Sequence, residues 1–489
     1  MPDISAFPRG VPGRELRNNI APHAQWATPE KIAQHDHWQY RPGKILLGSL
    51  GRQMIGVKDD RHMMTIAGSR AGKGVSAIIP NLIEYPGSVL VIDPKGENAY
   101  HTKNRRGAGW QGIGNGLNQS VYVLDPFGVS GHPTSCFNPL SMVDPRSYTA
   151  VDDAALVADA LVIQEVGPGQ HFSSAARNFI RGLILFVCMV EPPERRHLTR
   201  MRQHLTSDPK RFKVLLEAMQ DEGDREDGTI LDDTRAVILR AANSMDAKSE
   251  NERSGVLSTA VEQTDFLDSP LLARTLQRTD FELADLKRRP TTVYLCLPAG
   301  RMATHSRWLR IIINLALEAM ERTKPTPPPV HPVLFIMDEF PVLDHLASIE
   351  KAAGQIAGFG VKLWPILQDL SQLKSVYKDR WETFMGNTGL TQFFGNNDAT
   401  TLDYISHRLG KTTIEQISKS EITKEQLARG LTGESTQLHT IELMTADEIS
   451  LFFSRQEEAQ ILLSPGFNPI AIDRVEYRSH PFFARKFDP

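Results

Sequence analysis

One stretch limits what this chain can fold into: His62 to Asn81, HMMTIAGSRAGKGVSAIIPN. It opens with Met63-Met64-Thr65-Ile66-Ala67, an apolar run of the kind that makes a buried strand. A loop of small residues follows, Gly68-Ser69-Arg70-Ala71-Gly72-Lys73-Gly74. Val75-Ser76-Ala77-Ile78-Ile79 then starts a helix that Pro80 closes or bends. Strand, glycine loop, lysine and helix in that order form a P-loop (Walker A) pattern. Glycines let backbone N–H groups wrap a phosphate chain, and the helix start adds its dipole and open amides. Lys73 reaches the β- and γ-phosphates as a point charge. The candidate nucleotide-binding set is Gly68, Ser69, Arg70, Ala71, Gly72, Lys73, Gly74 and Val75.

The match departs from the pattern twice. The first glycine position is Ala67, with Gly68 one step later, and the residue after Lys73 is Gly74 rather than the Ser or Thr that holds Mg²⁺. Ser76 lies two residues past that position, about 200° away around a helix, so it faces elsewhere. Ser69, inside the loop, is the better-placed hydroxyl. A plain glycine-rich turn with an exposed lysine is the alternative for the loop alone.

The second half of a nucleotide site comes far downstream. The stiff Pro-rich loop Lys324–Pro329 delivers Val333-Leu334-Phe335-Ile336-Met337-Asp338-Glu339. In an apolar strand ending in Asp-Glu, Asp338 is the Mg²⁺-holding candidate and Glu339 the residue that orients and polarises the attacking water. The next strand, Val361–Leu367, ends at Gln368, an amide placed to bond the γ-phosphate or the water, or else a simple turn amide. Val89–Asp93 and Val121–Asp125 are further apolar strands, each ending in Asp-Pro. Such runs suit a parallel sheet, where ligands sit at the carboxyl ends of the strands. Asp93, Lys95 and Glu97 are thus expected to border the site, whereas Asp125 is expected only to make a turn. ATP and Mg²⁺ are the cofactors this combination calls for.

Length and charge bound the rest. At 489 residues the chain holds two or three domains. Charged residues are 23% and hydrophobic ones 40%, as in an ordinary soluble protein, and the net charge of −3 excludes a polycation that coats nucleic acid. DNA contact would need local patches or an assembled ring, with Arg105-Arg106 and Lys287-Arg288-Arg289 as candidate patches against ordinary solvated surface runs. Cys136, Cys188 and Cys296 have no metal spacing and read as buried thiols of a reducing compartment. No signal peptide is evident. Phe179–Val190, the most apolar run, is too short to cross a bilayer and carries Arg181, so a buried amphipathic helix is expected. Between about Asn138 and Lys287 the pattern is helical throughout, and the acidic stretch Asp221–Asp227 reads as a solvated connection. The expected organisation is an N-terminal arm (1–50), a first part of the nucleotide domain (51–140), an inserted all-α domain (141–288) and a second part of the nucleotide domain (289–489). After Leu409 the sequence shows helix and short strands but no chemistry.

Taken together, these pieces resemble the cytosolic part of the type IV secretion coupling proteins, the TraG-like conjugative DNA-transfer ATPases. The resemblance is carried by HAQWAT from His23, GSRAGKGVSAIIPNL, VIDPKGE, VYVLDPFG with FNPL from Phe137, FIMDEFPVL, ILQDLSQLKSVY, QFFGNNDATTLDYISHRLG and LMTADEI from Leu443. Ala67 and Gly74 at their positions are common in that family. The resemblance implies an α/β, RecA-like P-loop NTPase domain with a mainly parallel sheet and an inserted all-α domain, assembling as a homo-hexamer. It further implies an ATP-driven coupling protein that recruits DNA–relaxase complexes or effector proteins and delivers them to the secretion channel. The family's two N-terminal membrane helices are missing, so a cytoplasmic chain peripheral to the inner membrane is expected. Before Gly358-Phe359-Gly360 the family often carries an arginine that reaches a neighbouring subunit's nucleotide; here the position is Ala357, leaving Lys362, Arg307 or Arg310 as replacements. Two alternatives stand beside the motor: a DNA-translocating ATPase unrelated to secretion, and a nucleotide-binding docking receptor with little turnover.

Overall fold

The computed structural model describes residues 23–110, 114–163, 167, 169–229, 231–419 and 434–488. The first 22 residues of the expected arm therefore lie outside the described residues. The rest of the arm is anchored to the sheet domain. Ala24 N–H donates to the Lys411 carbonyl, Ala27 N–H to that of Pro469, and Trp26 stacks on Phe453. Thr28 caps the short helix Pro29–Gln34 with proline in its first turn, as the sequence reads.

Strands alternating with helices build one large sheet. In chain order its strands are β1 (Ile45–Leu50), β2 (Gln53–Val57), β3 (His62–Ala67), β4 (Val89–Asp93), β5 (Ser120–Leu124), β6 (Thr291–Cys296), β7 (Val333–Met337), β8 (Val361–Leu367), β9 (Thr388–Phe394), β12 (Ala459–Leu463) and β13 (Ile470–Asp473); β10 (Lys411–Lys419) and β11 (Glu434–Glu442) form a separate antiparallel ribbon. The order across the large sheet is β2-β1-β13-β12-β9-β3-β8-β7-β4-β6-β5. From β9 to β5 every pairing is parallel; from β9 outward to β2 every pairing is antiparallel. The parallel strands are covered on both faces, which is why they read as unbroken apolar runs. Met64, Leu90 and Ile92 face one core; Met63, Val89 and Val91 face the other.

The first of those cores runs without a break into the helices between β5 and β6. No strand occurs there among the described residues. The helices are Ala150–Leu161, Gln170–Val190, Pro209–Gly223, Leu231–Asp246 and Glu250–Gln263, with shorter ones between them. Gln170–Val190 is the central one, packed against Ala150–Leu161, Leu231–Asp246 and Glu250–Gln263. It is longer than the apolar run suggests and is long and apolar enough to cross a membrane by length and composition. Its Leu183, Ile184, Leu185 and Val187 are instead fully buried among its neighbours. The acidic stretch is exposed as expected except at Glu222 and Gly223. Glu222 is buried, and Arg235 joins it to Asp227 and Asp232, at 3.2, 2.9 and 3.1 Å. The stretch therefore closes a charge cluster. Cys136, Cys188 and Cys296 are buried free thiols, as the sequence reads.

Of the two basic runs offered for DNA contact, Arg105, Arg106 and Lys287 are corrected. Arg106 is fully buried. Its guanidinium donates to the carbonyls of Leu82, Tyr85 and Gly87 and to the Thr292 and Gln119 side chains, at 2.5 to 2.9 Å. Arg105 bonds the Ile83 carbonyl at 2.9 Å. Lys287 is buried with its ammonium on the Met320 and Thr323 carbonyls. These cations bond main-chain carbonyls inside the fold, of which that of Gly87 also accepts from Gln119 Nε2 at 3.2 Å. Only Arg288 and Arg289 are exposed, each paired with nearby carboxylates of Glu282 or Asp285.

Candidate nucleotide site

The loop after β3 departs from β-structure because its residues permit it. Arg70 and Gly72 both take positive φ, +57° and +88°. A Cβ at Gly68 would lie 1.8 Å from the Gly395 carbonyl oxygen, so only glycine fits beside the end of β9. The helix begins as a widened turn over Gly74–Ile78, in which Ile79 N–H reaches back to the Gly74 carbonyl, and continues through Ile79–Glu84. Pro80 thus sits early in the narrower helix and does not end it. Proline has no N–H to offer the preceding turn, and the wide turn accommodates that loss. Ser76 Oγ donates to the Gly72 carbonyl at 2.8 Å, so this hydroxyl is engaged in the helix. Ser69 is exposed and lines a 450 Å³ cavity with Gly68, Gln368, Asp369, Asn396 and Arg455.

Strand order brings the distant motifs to this loop. β8 lies between β3 and β7, with Ile66 opposite Leu367 and Met337 opposite Pro365. The residues just past the three strands, from Gly68 onward, Asp338-Glu339 and Gln368, therefore share one edge. Lys73 Nζ stands 3.0 Å from Asp338 Oδ1 and 2.7 Å from Glu339 Oε1. Gln368 Nε2 donates to both Glu339 oxygens, at 3.1 and 3.2 Å. Glu339 itself is held at φ +58°, a left-handed conformation that a non-glycine residue takes only where its surroundings enforce it.

Burial alone would depress the Lys73 ammonium, but the Asp338 and Glu339 carboxylates outweigh it and hold its pKa above the ordinary lysine value. Burial pushes the Asp338 carboxyl up, and the Lys73 charge offsets only part of that rise. Asp338 Oδ1 is buried and has no well-aligned hydrogen bond, only the Lys73 charge beside it. Such an oxygen fits a divalent cation, with phosphate and water oxygens completing the shell. Among the described residues no cluster of three or more His, Cys, Asp or Glu side chains offers a metal cage.

Asp93, at the end of β4 beside β7, is buried and accepts the Ala99 N–H at 2.9 Å. Burial pushes its carboxyl up to about 7, with the neighbouring Asp338 charge adding to the rise. It borders the site as the sequence reads, while Lys95 and Glu97 next to it are exposed. Asp125 accepts from Val129 N–H, Ser130 N–H and Ser130 Oγ, which is the turn role expected of it. Of the replacements offered for the missing arginine, Lys362 and Arg310 are corrected, and Arg307 is half-buried. Lys362 is buried with its ammonium on the carbonyls of Asp59 and Arg61. Arg310 is buried on those of Leu343 and His345. Arg307 reaches Gln263 in the helical region at 3.0 Å. One residue escapes sequence reasoning altogether. Arg474, just past β13, donates to the carbonyl of Ala71 in the loop, and nothing in its local sequence marks it.

The chain matches the family described as Type IV secretory system Conjugative DNA transfer over residues 17–488. It belongs to that family. Among characterised relatives, the VirD4 protein of Agrobacterium fabrum (strain C58) is 26% identical over 434 residues, covering 87% of this chain and 60% of its own length. This family member thus spans about three fifths of the VirD4 proteins it matches. Its fold is that of the plasmid coupling protein TrwB, a RecA-like P-loop NTPase with an all-α domain. The TrwB structure in complex with a non-hydrolysable ATP analogue superposes with a TM-score of 0.65 at 14% identity, covering 94% of both chains. The TrwB structure with ADP and Mg²⁺ gives 0.60 at 14% identity, covering 85% of this chain and 86% of TrwB.

Proposed function

We propose that this family member binds and hydrolyses ATP with Mg²⁺ at the edge formed by Gly68–Val75, Asp338, Glu339 and Gln368, and that this turnover drives a coupling protein of a type IV secretion or conjugation system. The observation that carries the reading is the Lys73 ammonium lying between Asp338 and Glu339, with Gln368 on the far side of Glu339. Lys73 is paired with the very carboxylates that a P-loop site assigns to the metal and the water. A triphosphate competes for Lys73, which frees Asp338 for Mg²⁺ and Glu339 for a water. Glu339 would then take the proton from that water as the water oxygen bonds to the γ-phosphorus and the bond from that phosphorus to the β-phosphate oxygen breaks, releasing ADP and inorganic phosphate, while Gln368 keeps the carboxylate aimed. The ADP and Mg²⁺ bound to TrwB support the choice of ligands.

The domain reading that accompanies this function is an arm to residue 50, a nucleotide domain in two parts (51–140 and 289–489) and an all-α domain (141–288) that receives cargo. The cargo is a DNA–relaxase complex or an effector protein, the next station is the secretion channel, and the active form is a homo-hexamer held at the cytoplasmic side of the inner membrane through its partners. The test is the steady-state ATPase rate against protein concentration, with and without single- and double-stranded DNA, and with Lys73→Ala as the blank. A rate per subunit that climbs with concentration and with DNA is the expected result. A rate equal to the blank under every condition removes the motor and leaves a docking receptor.

A further inference from the structure

The P-loop owes its shape to its neighbours as well as to its own sequence. Gly68 N–H donates to the Phe394 carbonyl at 3.2 Å, and Ala67, Ala71 and Phe394 form a small core of their own. Over that core lies Arg474, its guanidinium 4.9 Å from the centre of the Phe394 ring. Three main-chain carbonyls accept from it: Ala71 in the loop, and Arg455 and Glu457 in the segment after helix Ala446–Phe452. Nη1 stands 3.5 Å from where a Cβ on Gly72 would be.

The Ala71 carbonyl belongs to the peptide that joins Ala71 to Gly72. In a trans peptide the C=O and the following N–H point in opposite directions, so fixing one fixes the other. Gly72 is at φ +88° and, lacking a Cβ, lets this peptide turn over at little cost. A turned peptide would present a carbonyl, not an N–H, to an anion. The planar fork of Arg474, backed by the ring and two further carbonyls, holds the Ala71 carbonyl against that turn.

We propose that Arg474 is a positioning residue for nucleotide binding: it holds the Ala71 carbonyl on its own side and so turns the Gly72 N–H toward the phosphates. This rests on the nucleotide reading above. The guanidinium also adds a positive charge behind the loop without touching the nucleotide.

The test is calorimetric titration with Mg²⁺–ADP, beside steady-state ATP turnover, on the full chain and on Arg474→Ala, Arg474→Lys and Lys73→Ala. Losing a charge-assisted hydrogen bond to the loop is expected to weaken ADP binding about tenfold in Arg474→Ala and to raise KM for ATP by a similar factor. In the same variant kcat falls by less than about threefold, because Lys73, Asp338 and Glu339 are untouched. Arg474→Lys keeps the charge but not the fork, so its ADP affinity falls between the two. Phe394→Leu, which removes the ring beneath the guanidinium, weakens ADP binding about threefold and keeps the question open to measurement if Arg474→Ala does not fold. Wild-type ADP affinity in Arg474→Ala, or a loss of kcat with ADP affinity unchanged, overturns the proposal while Lys73→Ala still loses binding. A wild-type chain that binds no ADP overturns the nucleotide reading and this inference with it.

Discussion

The two ends of the parallel sheet hold their buried and half-buried cations in opposite ways. At the carboxyl end Lys73 faces two carboxylates, next to an Asp338 oxygen without a proper hydrogen bond and a Glu339 in strained backbone. At the amino end Lys362 and Lys287 face only main-chain carbonyls, and Arg106 faces mostly carbonyls. A cation on carbonyls satisfies fixed acceptors of the fold and has no second state to move to. A cation between carboxylates neutralises groups that a ligand can claim, so it can be exchanged. Partner chemistry, more than burial, separates the cation that works from the cations that hold.

Breaking that contrast gives its strongest tests. Lys73→Ala is expected to lower the ATPase rate about 10³-fold, with little change in melting temperature. Arg106→Met is expected to do the reverse. It takes a donor away from several buried carbonyls and lowers unfolding stability by about 3 kcal/mol in denaturant titration, and the folded fraction keeps its turnover. Glu339→Gln is expected to slow hydrolysis about 10²-fold while retaining bound ATP, as read by nucleotide trapping; normal turnover would remove Glu339 from its role as base. Lys362→Met sharpens the comparison through pH. Burial lowers the Lys362 ammonium to about 8 against an unfolded value of 10.5. The unfolded chain therefore binds more protons between those values, so stability rises with pH across that window by up to about 1 kcal/mol per unit. The variant is expected to flatten that rise, as followed by denaturation midpoints from pH 8 to 10. The smallest effect belongs to Arg288→Ala with Arg289→Ala, exposed ion-pair partners whose loss is expected to change stability by less than about 1 kcal/mol.

Much of the site is legible in the sequence because its chemistry is local there. The glycine loop, the Asp-Glu after an apolar strand and the amide after the next strand each carry their own pattern, and parallel strands bring such tips together. Gln368 reads from sequence as a neighbour of the Asp-Glu strand; that its strand also flanks β3, which places it within reach of Glu339 beside Lys73, comes from strand order. The failures share a cause. Arg106, Lys287 and Lys362 show no sign of burial in the sequence because their carbonyl partners lie outside their local stretches, 19, 33 and 303 residues away. Arg474 is invisible for the same reason, since it acts on a loop some four hundred residues upstream. Pro80 reads as a closing or bending residue because the wide turn that accommodates it has no sequence signature.

The Lys362 bond has a mechanical side. Its ammonium, near the start of β8, grips the carbonyls of Asp59 and Arg61, which lead directly into β3. The strand that ends in the phosphate loop and the strand that ends in Gln368 are thus riveted at their roots and travel as a single plank. Asp338 and Glu339 reach the same edge from β7, which is zipped to β8 from Val333 opposite Val361 to Met337 opposite Pro365.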